Sequence, residues 1–153
     1  MLEERDIYRM PVAYVRPRVV ASPFRLARQR VTLAVRLSLS VVFFWFGMLK
    51  LANASPVTGL LRDTFPLFAD SPYLQALGLA EIAIAIGLIS ERFSKYAATL
   101  MIAHLLCTLS IVLVSPGLVF APAFPVLTMQ GEFLAKNVVL ITAGLVVIDS
   151  RRR

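Results

Sequence analysis

Residues 73–89 read YLQALGLAEIAIAIGLI, a stretch with one charged side chain, Glu81, and enough length to cross a membrane as a helix. A carboxylate in the middle of hydrocarbon needs a partner, a proton or a polar cavity, because an isolated buried charge is costly. The rest of the chain can be read as the surroundings that this acid requires.

Those surroundings are apolar. Hydrophobic residues make up 58% of the 153-residue chain, charged residues only 16%, and the mean hydropathy is +0.76. A soluble domain of this size leaves much of its surface in water and cannot hide so many apolar side chains. Four runs, Val31–Ala52, Tyr73–Ile89, Tyr96–Val114 and Phe133–Ile148, each approach the ~20 residues that span ~30 Å of hydrocarbon. Helix is the only conformation that lets such a segment satisfy its own backbone in lipid. The expected fold is all-α, an integral membrane four-helix bundle over residues 31–150, preceded by a basic arm over residues 1–30.

The net charge of +7 follows topology and gives no nucleic-acid signal. Arg5, Arg9, Arg16, Arg18, Arg25, Arg28 and Arg30 precede the first run, Arg92 and Lys95 lie between the second and third, and Arg151 to Arg153 follow the fourth. The two intervening loops carry only Arg62. The positive-inside rule then places both termini in the cytoplasm of a multi-pass protein of the plasma (inner) membrane. Glu3, Glu4 and Asp6 sit in a polar stretch that lacks the shape of a cleavable secretory signal, so the first span is expected to be retained. The arm mixes Arg with Tyr8, Tyr14 and Phe24 and is broken by Pro11, Pro17 and Pro23; it reads as a segment lying on anionic headgroups, or as a docking arm.

The two arginine-poor loops have their own signals. Ser55-Pro56 has the form of an N-cap followed by a first-turn proline, and Leu60, Leu61, Phe65, Leu67 and Phe68 then predict a short interfacial helix. Ser71-Pro72 repeats the signal at the start of the second span. The loop from Pro116 to Gly131 is apolar and free of basic residues, and is expected to rest on the bundle or to cover a pocket. Within the second span, Ala76, Ala80, Ala83 and Gly87 form one small-residue stripe, with Gly78 and Ala85 on another side. Small residues on two faces predict a central helix with close neighbours, which keeps Glu81 away from lipid. Arg36, one turn into the first span, is expected to snorkel to the interface.

Counting ~1.5 Å per residue from Pro72 puts Glu81 roughly 13 Å deep, near the bilayer middle. Lys136, four residues after Glu132 in a favourable helical pair, then comes within ~6 Å of Glu81 along the axis, whereas Lys50 is nearer ~10 Å away. Lys136 is therefore the expected first partner of Glu81, with Lys50 and Glu132 above them. Lys50 is equally consistent with snorkelling outward. His104, the sole histidine, sits at similar depth on a stripe with Ala97, Met101, Thr108 and Ser115. It fits a hydrogen bond inside the bundle or a proton relay with Glu81. One histidine with few spare carboxylates is a poor metal site, and haem ligation by Met101 and His104 needs both on one ring face. No metal is expected. Trp45 and the phenylalanines around it either face lipid or line a pocket. Cys107 is the only cysteine, so no intrachain disulfide or CxxC pair is available and any electron chemistry must reside on a cofactor or partner. An outward-opening pocket with Lys50, Glu81, Glu132 and Lys136 at its polar end is the expected site, with Trp45 and His104 beside them.

Phe46-Gly47-Met48-Leu49-Lys50, the proline-containing loop ending in Asp70-Ser71-Pro72, an acid in the second helix, and Gly131-Glu132-Phe133-Leu134-Ala135-Lys136-Asn137 together resemble the DoxX-like superfamily, especially its YkgB/RclC branch. The likeness covers about Arg30 to Ile148. It implies a small four-helix membrane protein found beside oxidoreductase systems, including thiosulfate:quinone oxidoreduction and defence against oxidative stress. Lys50, Glu81, Glu132 and Lys136 match its motif positions; His104 and Cys107 do not. Two functions follow as expectations. One is a quinone- or lipid-binding subunit of a membrane redox system, since an apolar pocket with few polar groups suits an amphiphile. The other is a non-catalytic accessory subunit that assembles a larger complex, with membrane lipid and a protein partner or second copy around it. A transporter ranks below both, because only one side of the bundle is well supplied with polar groups.

Overall fold

The computed structural model describes residues 23–55, 58–65, 67 and 71–150. Most of the expected basic arm lies outside them; its last residues, 23–30, form the opening turns of the first helix. The element order is α1 (Pro23–Leu51), α2 (Thr58–Thr64), α3 (Ser71–Ile89), α4 (Ser94–Leu109), α5 (Ile111–Val114), α6 (Pro116–Val119) and α7 (Met129–Asp149). Among the described residues there is no strand, only an isolated bridge between Phe120 and Leu127.

Four segments are long and apolar enough to cross a membrane: Leu26–Leu51, Pro72–Ile89, Ser94–Val114 and Met129–Asp149. The chain is a multi-pass, all-α membrane protein. The long helices form a ring in which α1 packs on α3, α3 on α4, α4 on α7, and α7 more sparsely on α1. The third span is α4 continued by α5 through a turn at Ser110. Its hydroxyl donates to Cys107 O at 2.6 Å, and Thr108 Oγ1 donates to His104 O at 3.0 Å. Hydroxyls bonding back to the preceding turn bend helices in this way.

The α1–α3 contact sets the antiparallel register. Arg36 donates through Nε to Leu88 O at 2.8 Å and through its guanidinium to Ile89 O, and Ser40 Oγ donates to Ala85 O at 2.7 Å. Further along, a Cβ on Gly47 would lie 2.6 Å from Gly78 O, and one on Gly78 would lie 2.8 Å from Gly47 O. Only glycine permits the two backbones to come this close. The expected snorkelling of Arg36 is corrected here: it is buried and closes the C-terminal carbonyls of α3, which no intrahelical donor satisfies.

On α3 the buried side chains are Leu74, Gly78, Glu81, Ala85 and Leu88, a seam at spacings of four and three, with Ile84 beside it. Ala76, Ala80 and Ala83 face out of the bundle, so that alanine stripe is not the packing face that was expected, and α3 is one wall of a ring rather than its centre. The Gly78/Ala85 face does the packing instead. Two apolar clusters fill the interior. Leu39, Phe43, Leu88, Ala98, Met101 and Val147 form one, towards the Arg36 end. Leu60, Leu61, Leu74, Ile111, Val119 and Leu134 form the other, towards α2.

The connections complete that second end. α2 begins at Thr58 as a short helix with Leu60 and Leu61 turned inward. The Ser55 hydroxyl expected to cap it is buried without a hydrogen-bond partner among the described residues. Thr128 caps α7, accepting from Gly131 N at 3.0 Å while donating to Leu118 O at 2.7 Å. Gly131 presses against Val119 O, leaving no room for a Cβ. The loop of residues 116–131 thus rests on the bundle, but the pocket described below is walled by α2 and not by this loop.

Candidate functional site

Between the two apolar clusters lies the polar centre. Lys50 Nζ donates to both oxygens of Glu81, at 2.8 Å to Oε1 and 2.7 Å to Oε2. His104 Nε2 lies 3.0 Å from the same Oε1. Lys50 and Glu81 are each 5% exposed and His104 19%. The cluster is built by three helices: Lys50 from the end of α1, Glu81 from the middle of α3 and His104 from α4.

Lys50 sits on α1 about six positions beyond the level of Glu81, roughly 9 Å at ~1.5 Å per residue. Side chains on a helix tilt toward its N-terminus. Because α1 and α3 run antiparallel, Lys50 tilts toward Glu81 and Glu81 tilts toward Lys50, so both side chains shorten the gap. The Gly47–Gly78 crossing, one turn from each residue, removes the lateral distance.

An ionised carboxylate only accepts hydrogen bonds, so His104 Nε2 donates to it. That fixes the ring and leaves Nδ1 as its second functional atom. Phe43 meets the imidazole edge to face, with centroids 6.0 Å apart and planes at 70°. The cluster is polar on one side and aromatic on the other.

A pocket opens from this centre between Phe43, Phe46, Phe133, Leu60 and Leu61, with Lys50, Glu81, His104, Thr108 and Asn137 forming its polar part. Its whole volume, mouth included, is about 530 Å³, of which about 40 Å³ admits the centre of a water-sized sphere. A single water needs roughly 10–15 Å³ by that measure. The polar end therefore takes one or two heavy atoms of a ligand, with the bulk of the molecule in the apolar mouth.

Three of the expected site residues come together: Lys50, Glu81 and His104. Three do not. Lys136 and Glu132 are exposed on the outside of α7, and Trp45 is 63% exposed on the outside of α1. The expected Glu81–Lys136 pairing is corrected to Glu81–Lys50 and Glu81–His104. Axial depth placed Lys136 well, but rotation about the helix decides contact. The inward face of α7 is Leu134, Asn137, Gly144 and Val147, and Lys136 lies roughly 100° from Asn137 at ~3.6 residues per turn. On α1, Phe46 and Phe43 line the pocket while Trp45, between them in sequence, faces away.

Asn137 is the polar residue that the sequence reading missed. It is 3% exposed, it lines the pocket, and its Nδ2 has no hydrogen-bond partner among the described residues. A signal was present: an amide in an apolar span, three residues after Leu134 and seven before Gly144, on the small-residue face. Among the described residues no group of three or more His, Cys, Asp or Glu is arranged to hold a metal. Cys107 points out of the bundle.

Comparison of the chain with protein-family models, with curated proteins and with solved structures finds no match.

Proposed function

We propose that this chain is a small membrane subunit that binds the head of a lipid-soluble ligand of quinone type at the Lys50–Glu81–His104 centre. Its place would be a membrane redox or oxidative-stress system, as the DoxX-like resemblance implies. The observation that carries the reading is a charged cluster closed on itself at mid-bundle, opening on an aromatic and aliphatic pocket. Such a pocket, with a few convergent polar groups, is the usual form of a site for an amphiphile. Lys50 and His104 supply donors, Glu81 holds both in place, and Phe46 and Phe133, 5.3 Å apart at their centroids, offer faces for a ring. The basic residues at both ends and in the α3–α4 turn support a plasma-membrane topology with both termini in the cytoplasm and the α2 end outward. The pocket then opens toward the outer leaflet.

Purified protein in lipid nanodiscs tests this. A short-tailed benzoquinone should raise the melting temperature, and native quinone should copurify in mild detergent. Absence of both, with the protein folded, would remove the reading.

A second reading has its own support. The outward stripe Ala76, Ala80 and Ala83 on α3 would let a further helix approach closely, as expected of an accessory subunit in a larger complex. Under that reading Ala80→Leu should release a copurifying membrane partner while leaving the melting temperature unchanged. Retention of the partner would count against it.

A further inference from the structure

Of the four buried side-chain polar atoms without a partner among the described residues, Ser55 Oγ, Thr58 Oγ1, Thr64 Oγ1 and Asn137 Nδ2, only the last belongs to a residue lining the pocket. The others lie on or beside α2. Asn137 brings two N–H donors to the polar end of the pocket, beside groups whose hydrogen bonds are already directed at one another. Lys50 is held by both oxygens of Glu81, and the Nε2 proton of His104 is given to Oε1. The carboxylate in turn is engaged by both donors. What the pocket lacks is an acceptor for Asn137.

We propose that Asn137 is the specificity-determining residue of this pocket, its Nδ2 donating to a ketone oxygen on the ring head of the bound amphiphile. The inference rests on the reading of the pocket as an amphiphile site and names the chemical feature which that site selects. A carbonyl oxygen offers lone pairs and brings no proton of its own. A hydroxyl in the same place can accept from Asn137, but its proton must then find an acceptor among Phe46, Phe133 and Leu134, which have none. A head without oxygen leaves the amide unpaired. The order of preference is therefore ketone, then alcohol, then hydrocarbon, and discrimination of this kind is large where a buried polar group is stranded by the wrong ligand.

The experiment uses the full chain in nanodiscs with a short-tailed 1,4-benzoquinone, its quinol, and an aryl compound of the same tail without ring oxygens. The wild type should bind in that order. Asn137→Leu, which nearly preserves volume, should weaken the quinone about tenfold, the equivalent of one hydrogen bond, and leave the oxygen-free compound unchanged. Quinone binding to the wild type with equal affinity in Asn137→Leu overturns the inference and leaves the pocket reading intact. No quinone binding to the wild type overturns both. Should Asn137→Leu fail to fold, the wild type still decides the matter. The chain has only two asparagines, Asn53 and Asn137, so protein labelled with [15N]asparagine shows two side-chain amide signals. Quinone should move the Asn137 amide protons downfield and leave those of Asn53 in place; an unmoved Asn137 signal at saturating quinone contradicts the proposal.

Discussion

Lys50 reaches Glu81 because two antiparallel helices lean their side chains toward each other, a feature that depth along the bundle cannot convey. Counting residues placed Glu81, His104 and Lys50 in the polar region correctly, then chose Lys136 as the partner because its axial gap was shorter. The choice failed on rotation: Asn137, the next residue, occupies the inward face, while Lys136 points out. In a span that is apolar all round, no periodic contrast reveals which face is inward. His104 tests the cluster at this scale. His104→Gln keeps an N–H donor for Glu81 Oε1 and should cost less than about 1 kcal/mol of stability, whereas His104→Phe removes a hydrogen bond to a charged group and should cost about 1.5–3 kcal/mol. Thermal or denaturant unfolding in detergent reads both. Equal losses would mean that the Nε2–Oε1 contact carries no weight.

Among the elements, the α1–α3 pair is the one on which the site depends. Its register is held by Arg36 and Ser40 at one end and by the Gly47–Gly78 crossing near the other. A Cβ on Gly47 would also come within 2.7 Å of Ile82 Cγ1, so Gly47→Ala must push the helices apart. The expected cost is about 1–3 kcal/mol, with quinone binding lost as Lys50 is drawn away from Glu81. Gly59 in α2 has no atom within 4 Å of the corresponding position, so Gly59→Ala should be neutral or stabilise by up to about 1 kcal/mol. Melting temperatures of the two variants side by side check the contrast. The four spans were readable from run length alone, and the α2 helix from its leucines. The extension of α1 back to Pro23 was not, because arginines replace the apolar residues there and the hydropathy signal ends before the helix does. The burial of Arg36 was equally hidden, since its partners are backbone carbonyls of α3 that no side-chain pattern announces.

At the scale of the molecule, a ring of four membrane-spanning helices encloses one charged cluster between two apolar clusters. The far end carries an exposed pair, Arg28 with Asp149 at 2.8 Å, worth no more than about 1 kcal/mol in such a setting. The inferred orientation has a direct check in a Cys107→Ala background. A membrane-impermeant thiol reagent added outside intact cells should label Gly117→Cys and not Glu91→Cys; the reverse pattern would invert the topology. The central claim concerns the buried pair, and its test is a thermodynamic cycle of Lys50→Met, Glu81→Leu and the double variant, read as unfolding free energy in one detergent. Each single change leaves an uncompensated charge and should cost about 3–5 kcal/mol, while the double variant should recover most of that loss. Single losses that simply add in the double variant would contradict a Lys50–Glu81 pair at the heart of the bundle.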